Sequence, residues 1–128
     1  MTGSTPADVP LSEVDLDALV PAWLEWSEVA QQLGVSVGKV RTMVREHELA
    51  HAVPREGAGQ RVPADFLQDG EVVKGLGGLL TVLHDGGYDD RQCIAWLFLD
   101  ADLPGRPIDA LRENRGSEVK RRAQALAF

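Results

Sequence analysis

The sequence has little cysteine, no long apolar run and no early basic residue. Cys93 is the only cysteine in 128 residues, which rules out an intramolecular disulfide. No apolar run approaches the roughly 18 residues that a membrane-spanning helix needs. No basic residue precedes Lys39 and the N-terminal segment is not apolar, so a signal peptide is not predicted. These features favour a cytoplasmic protein that makes no contact with a membrane.

Patterns that mark catalysis, nucleotide binding and metal binding are also missing. Serine, histidine and aspartate do not occur at a recognisable catalytic spacing. The glycines of residues 75–78 are not followed by the lysine and hydroxyl residue of a phosphate-binding loop. The acids of residues 89–102 lack the spacing of a calcium loop. His47 and His51 lie far from the cysteine and are predicted to be surface or wing histidines. We therefore expect no enzyme activity, no cofactor and no metal.

The composition is that of a folded protein with an uneven distribution of charge. Hydrophobic residues make up 44% and charged residues 26% of the chain, as in ordinary globular proteins. The net charge of −7, taken alone, argues against binding to nucleic acid. Residues 1–25 carry five acids and no base, and residues 64–128 are also net acidic. Residues 26–63 carry five bases against four acids, so any nucleic-acid site is expected there.

The central part of the chain has the pattern of two short helices joined by a tight turn. Ser27 is a suitable N-cap for a first helix over residues 28–33, and Gly34 suits the left-handed conformation that ends it. Ser36 caps a second helix that runs to about His47, with apolar residues at helical spacing on one face. This pattern is typical of a helix-turn-helix, whose second helix enters the major groove of DNA.

Two short extended runs follow the second helix. Residues 51–55 and 60–63 flank a glycine-rich loop and predict a β-hairpin over residues 51–63. Pro54 and Pro63 indicate edge strands, because proline cannot donate a hydrogen bond to a central ladder. The hairpin would form the wing of a winged helix-turn-helix.

The expected DNA-binding face combines the outer side of the second helix with the wing. The residues expected to reach base edges are Arg41, Thr42 and Arg45. The residues expected to reach phosphates or the minor groove are Lys39, Arg55, Gln60 and Arg61. With at most about five cationic contacts, log K should fall with log salt at a slope no steeper than about −4 to −5.

The remainder of the chain is predicted to be helical, so the expected architecture is mainly α. An apolar stretch over residues 72–83 precedes a helix capped by Asp89, a short helix over residues 108–114 and a last helix capped by Ser117. Asp69-Gly70 is a turn signal and the expected domain boundary. The expected parts are a flexible acidic tail (1–15), a winged helix-turn-helix domain with a small hairpin (16–69) and a helical interaction domain (70–128).

The segment Trp26–Leu49 resembles the winged helix-turn-helix of the MerR and excisionase type. The shared positions are Ala30, the turn Leu33-Gly-Val-Ser36 and the pair Val40-Arg41, whereas the exit Glu46-His-Glu-Leu49 lacks the usual glycine. Residues 24–128 as a whole are similar to a small actinobacterial family of winged-helix DNA-binding proteins with a helical C-terminal domain. The resemblance implies binding to double-stranded DNA and a role in transcription regulation.

The C-terminal part supports an alternative function. Its segment Arg106-Pro-Ile-Asp-Ala-Leu111 is similar to the toxin-binding domain of Xre/ParS-type antitoxins. That resemblance implies an antitoxin-like protein or adaptor that acts through residues 70–128. The same residues are the expected place for a protein partner or a homodimer contact, because the sequence contains no heptad zipper.

The acidic tail carries hydroxyl residues that a serine/threonine protein kinase could modify. Thr2 and Thr5 are the candidate phosphorylation sites. Each phosphate would add roughly −1.5 to −2 charges to a segment that already repels DNA. The tail is therefore expected to compete with DNA for the cations of the second helix.

Overall fold

The computed structural model describes residues 10–99 and 105–127, with only the backbone described at residues 126 and 127. Residues 1–9 of the expected tail, with Thr2 and Thr5, lie outside the described residues. Residues 11–15 are packed against the fold, which corrects the tail expected through residue 15. A 3₁₀ turn spans Leu11–Glu13, and Val14 is buried. The guanidinium of Arg91 donates to the carbonyls of Ser12 and Val14, so this segment is anchored to a C-terminal helix.

The first helix and first strand position the segment that precedes the helix-turn-helix. Helix α1 spans Leu16–Leu19, and the Asp15 side chain accepts a hydrogen bond from the Ala18 N–H at 3.3 Å. Strand β1, Trp23–Leu24, then pairs antiparallel with β2, Val62–Pro63. The chain before the helix-turn-helix therefore lies against the second strand of the wing.

Helices α2, Trp26–Leu33, and α3, Val37–Arg45, form the expected pair. The predicted cap at Ser27 is wrong, because Glu25 is the N-cap and forms a capping box with Glu28. Gly34 ends α2 with φ of 71°, as predicted. Ser36 caps α3, accepting a hydrogen bond from the Lys39 N–H at 3.0 Å.

The wing is a hairpin held by one antiparallel bridge, in which Ala52 and Arg61 exchange backbone hydrogen bonds of 3.0 and 2.8 Å. A 3₁₀ turn, Ala64–Phe66, follows β2. Strands β3, Leu67–Gln68, and β4, Glu71–Val72, then pair around the turn at residues 69–70. Both turn residues have positive φ, which confirms the predicted turn.

Four helices complete the fold: α4 (Leu76–Asp85), α5 (Asp90–Phe98), α6 (Pro107–Arg112) and α7 (Gly116–Ala127). Asp89 caps α5 through a capping box with Gln92, as predicted. Ser117 lies inside the first turn of α7, so the cap predicted there is wrong. The mainly helical architecture with a small hairpin is confirmed. Among the described residues, every helix is too short or too polar to cross a membrane.

One hydrophobic core joins the helix-turn-helix to the C-terminal helices. It contains Val29 and Val40 as well as Leu80 and Ile94, all fully buried. The rings of Phe66 and Phe98 meet across it with centroids 5.9 Å apart. Arg112 of α6 donates to the carbonyls of Asp65 and Leu67 at 2.7 and 2.8 Å. The buried face of α3 therefore packs on a core that the C-terminal helices share.

Candidate nucleic-acid interface

Helix α3 has a buried face and an exposed cationic face. Val40, Met43 and Val44 are buried against the core. Lys39, Arg41 and Arg45 lie on the exposed side, and the nine residues of α3 include no acid. The local charge of the helix is therefore +3, although the whole chain carries −7. A cationic helix with its apolar side fixed can meet a phosphate backbone and base edges.

Thr42 is the most constrained of the residues expected to reach base edges. Its side chain is half-buried, and its hydroxyl donates to the Gly38 carbonyl at 3.2 Å. The same oxygen accepts a hydrogen bond from Arg45 Nη2 at 3.3 Å. Thr42 therefore orients the Arg45 guanidinium on the helix surface.

Arg41 contacts an aromatic ring that was not among the expected DNA-binding residues. Its guanidinium carbon lies 5.7 Å from the ring centroid of Trp26, which is within the range of a cation–π contact. Trp26 is the first residue of α2, so this contact spans the two helices of the motif. The sequence shows an aromatic residue at the start of the first helix. That this residue contacts Arg41 becomes evident only from the way α2 and α3 pack against each other.

A shallow cleft separates α3 from the wing. Its walls come from the start of α2, the exposed side of α3 and the second wing strand, and its lining residues are Glu25, Trp26, Ser27, Val37, Arg41, Gln60 and Arg61. The structure thus brings three of the expected DNA-binding residues together, namely Arg41, Gln60 and Arg61. Lys39, Thr42 and Arg45 lie on α3 outside the lining of the cleft, with Arg45 one turn further along the helix from Arg41.

Arg55 lies apart from that cleft. Its Nη1 pairs with Asp17 Oδ1 of α1 at 3.2 Å, and its side chain is 64% exposed. Arg55 is therefore available to solvent at the edge of the wing, but an acid of the N-terminal segment already partners it.

The histidines lie close together, and they are less exposed than a fully solvated surface position. His47 and His51 are both half-buried and gather with His84 around the Asp90 carboxylate. His51 lies at the start of the wing, one of the two predicted environments, whereas His47 lies in the turn after α3 and is partly covered by His84 of α4. His47 also has φ of 64°, a left-handed backbone conformation that glycine adopts without strain.

Burial raises the pKa of Asp90, but hydrogen bonding and charge from His51, together with the charge of His84, outweigh this and lower it below its ordinary value. The carboxylate is consequently ionised at neutral pH.

Comparisons with known proteins agree with this geometry. Residues 8–67 match the family model "DNA-binding protein Rv2175c, wHTH domain", and residues 73–127 match "Rv2175c C-terminal domain of unknown function". The DNA-binding protein Rv2175c of Mycobacterium tuberculosis is 41% identical over 98% of this chain and 96% of its own length. The NMR structure of Rv2175c superposes with a TM-score of 0.74 and 37% identity over the full length of both chains.

Proposed function

Because the chain belongs to the family of the winged-helix protein Rv2175c, we propose that it binds double-stranded DNA through α3 and the wing. The observation that carries this proposal is the convergence of Arg41, Gln60 and Arg61 on one cleft beside a helix with three cations and no acid. A relative named as a DNA-binding protein adds support.

In the proposed complex α3 lies in the major groove, and the wing follows the adjacent backbone or minor groove. Arg41 and Arg45 contact base edges, with Thr42 orienting Arg45. Lys39 and Arg55 neutralise phosphates on either side. The remaining two contacts to phosphate or the minor groove come from Gln60 and Arg61.

The proposed role is that of a transcriptional regulator with a reader of the MerR and excisionase type. Support comes from the turn Leu33-Gly-Val-Ser36, in which Gly34 and Ser36 have the conformation and the cap that the pattern requires. The division into a reader (16–69) and an interaction domain (70–128) belongs to the same proposal.

The antitoxin-like alternative receives little support from the positions that suggested it. Pro107, Ile108, Ala110 and Leu111 are all buried in α6. These residues stabilise the core and are not exposed to a partner. A protein partner or a second copy would have to contact other surfaces of residues 70–128.

Phosphorylation of Thr2 or Thr5 by a serine/threonine kinase is proposed as a restraint on DNA binding. The support is electrostatic, because residues 1–25 already carry five acids and no base. Replacing both threonines with glutamate should weaken DNA binding, and replacing both with alanine should leave the affinity unchanged.

The decisive experiment measures affinity for DNA by fluorescence anisotropy. Genome-wide capture with the purified full chain first identifies a bound duplex. The Arg41→Ala/Arg45→Ala double variant removes two cations from α3, and Lys120→Ala/Arg121→Ala removes two exposed cations from α7 as the matched control.

We expect at least a roughly 10-fold loss of affinity in the α3 variant, since two contacts of about 1 kcal/mol or more are lost. The control variant should bind within about 2-fold of the unchanged protein. Equal affinities of the folded α3 variant and the control would refute the assignment of α3 as the reading helix.

A further inference from the structure

All three histidines of the chain meet at one carboxylate. His47 lies in the turn after α3, and His51 at the start of the wing. His84 lies in the last turn of α4, and Asp90 is the first residue of α5. Four separate parts of the fold thus bring nitrogen and oxygen donors to one place at the junction between the helix-turn-helix and the C-terminal helices.

The donor atoms of His47, His84 and Asp90 all lie within 4.8 Å of one another. Zinc binds histidine nitrogen and carboxylate oxygen at about 2.0–2.2 Å, which places the donors of a tetrahedral site about 3.3 Å apart. The 2.8 Å between His84 Nε2 and Asp90 Oδ1 would have to open by about 0.5 Å, and the longer separations would have to close by about 1.5 Å or less, to give a coordination shell. Rotations of these partly buried side chains are the proposed source of both changes.

One ring nitrogen in this cluster, His47 Nδ1, is buried without a hydrogen-bond partner among the described residues. His84 Nε2 faces Asp90 Oδ1 at 2.8 Å and His51 Nδ1 faces Asp90 Oδ2 at 3.0 Å, so both of these nitrogens already contact the carboxylate. Buried polar atoms normally have partners, and a cation between His47, His84 and Asp90 would supply one for His47.

His51 orients the carboxylate. Its backbone N–H donates to Asp90 Oδ2 at 3.0 Å, and its ring faces the same oxygen. Asp90 Oδ1 faces His84 and remains the oxygen available to a ligand. Residues that hydrogen-bond to a metal-binding carboxylate without binding the metal commonly orient it, and His51 has that position relative to Asp90.

We propose that His47, His84 and Asp90 bind one divalent transition-metal cation, with Zn²⁺ the best match, and that His51 positions Asp90. Two imidazoles and one carboxylate suit zinc and its neighbours, whereas Ca²⁺ and Mg²⁺ prefer oxygen ligands alone. The fourth position of the metal is left to water or to an exchangeable ligand. The ion would join the exit of the proposed reading helix to α4 and α5.

The conformation of His47 agrees with this assignment. A residue with a side chain is unfavourable at φ of 64°, where glycine fits without strain. Its ring stacks on His84 with centroids 3.8 Å apart, which directs it into the cluster. His47→Gly therefore removes a ligand from a position whose backbone favours glycine.

The test is calorimetric titration of the full chain with Zn²⁺ after treatment with a chelator. We expect saturable binding of one ion per chain and a rise in Tm with Zn²⁺ concentration. His47→Gly and His84→Gln should each lower the affinity by at least about 10-fold. Asp85→Asn, which changes an exposed carboxylate next to His84, is the matched control and should bind as the unchanged protein does.

Folding and coordination are checked separately. His47→Gly without metal should melt at the same temperature as the unchanged protein or higher, so its loss of Zn²⁺ binding would not reflect unfolding. Co²⁺ in place of Zn²⁺ should give the intense visible bands of a four-coordinate ion. Absence of saturable Zn²⁺ binding, or equal affinity in His47→Gly and Asp85→Asn, would overturn the proposal.

Discussion

Arg55 of the wing and Asp17 of α1 form an ion pair, with 3.2 Å between Nη1 and Oδ1. The acidic N-terminal region was expected to compete with DNA for the cations of the second helix. Asp17, an acid of that region, is paired with the wing and not with the second helix. The pair is exposed, so it contributes at most about 1 kcal/mol and DNA phosphate can displace it.

Asp17→Asn should therefore strengthen DNA binding by about 2- to 5-fold at low salt, because Arg55 is released and one repelling charge is removed. Anisotropy titration measures the change. Glu13→Gln removes one exposed acid from the same region and is the control. If both variants tighten binding equally, the effect is one of total charge and the Arg55 pair has no separate role.

The salt dependence of DNA binding reports how many cationic side chains contact phosphates. Lys39, Arg41, Arg45, Arg55 and Arg61 together predict a slope of log K against log salt no steeper than about −5. Lys39→Ala removes a proposed phosphate contact and should make the slope shallower by about 1. Titrations at several salt concentrations test this, and a slope that Lys39→Ala leaves unchanged would show that Lys39 does not contact the phosphate backbone.

The features that the sequence predicted correctly depend on interactions between near neighbours. Ser36 caps α3 through an atom three residues away, and Gly34 needs only its own backbone freedom. The cap predicted at Ser27 was wrong because a stronger local competitor, the capping box between Glu25 and Glu28, begins the helix two residues earlier.

The features that the sequence could not predict depend on packing between distant segments. His47 and Asp90 are 43 positions apart, and only the docking of α5 beside the end of α3 brings their side chains together. The sequence showed that the exit Glu46-His-Glu-Leu49 lacks a glycine. Only the positive φ of His47 and its contacts with His84 and Asp90 show what the histidine does at that position.

The contact between Phe66 and Phe98 offers a test of whether the two expected domains unfold separately. Both rings are buried, and they pack on one another from opposite sides of the expected boundary. Phe98→Ala should lower the free energy of unfolding by about 3–5 kcal/mol, and Phe98→Leu by about 1.5 kcal/mol or less. Hydrogen exchange should show α3 and α5 losing protection together. Loss confined to α5 would mean that the helix-turn-helix is stable alone.

Cys93 should be unreactive in the native protein. It is fully buried, and burial together with the carboxylates of Asp90 and Asp89 raises the pKa of its thiol to about 12. The thiolate fraction at pH 8 is then about one in ten thousand. A thiol-specific reagent should label Cys93 only after unfolding in urea. Rapid labelling of the native chain at pH 8 would contradict this packing.

The contact between Asp109 and Arg106 should make the free energy of unfolding depend on pH in the acidic range. The Arg106 guanidinium donates to Asp109 at 3.0 and 2.8 Å, and these hydrogen bonds lower the pKa of the carboxyl below 3.8. A lowered pKa means that the stabilisation is fully present above about pH 4 and is lost as the pH falls through the folded-state value.

Asp109→Asn should accordingly reduce stability at neutral pH, by at most about 1 kcal/mol because the pair is partly exposed. The difference from the unchanged protein should shrink as the pH falls from about 4 through the lowered pKa of Asp109. Urea denaturation at several pH values measures it. Asp69→Asn is the control for loss of one negative charge, since asparagine tolerates the positive φ found there. A difference for Asp109→Asn that does not shrink as the pH is lowered would show that packing, and not the ion pair, stabilises the start of α6.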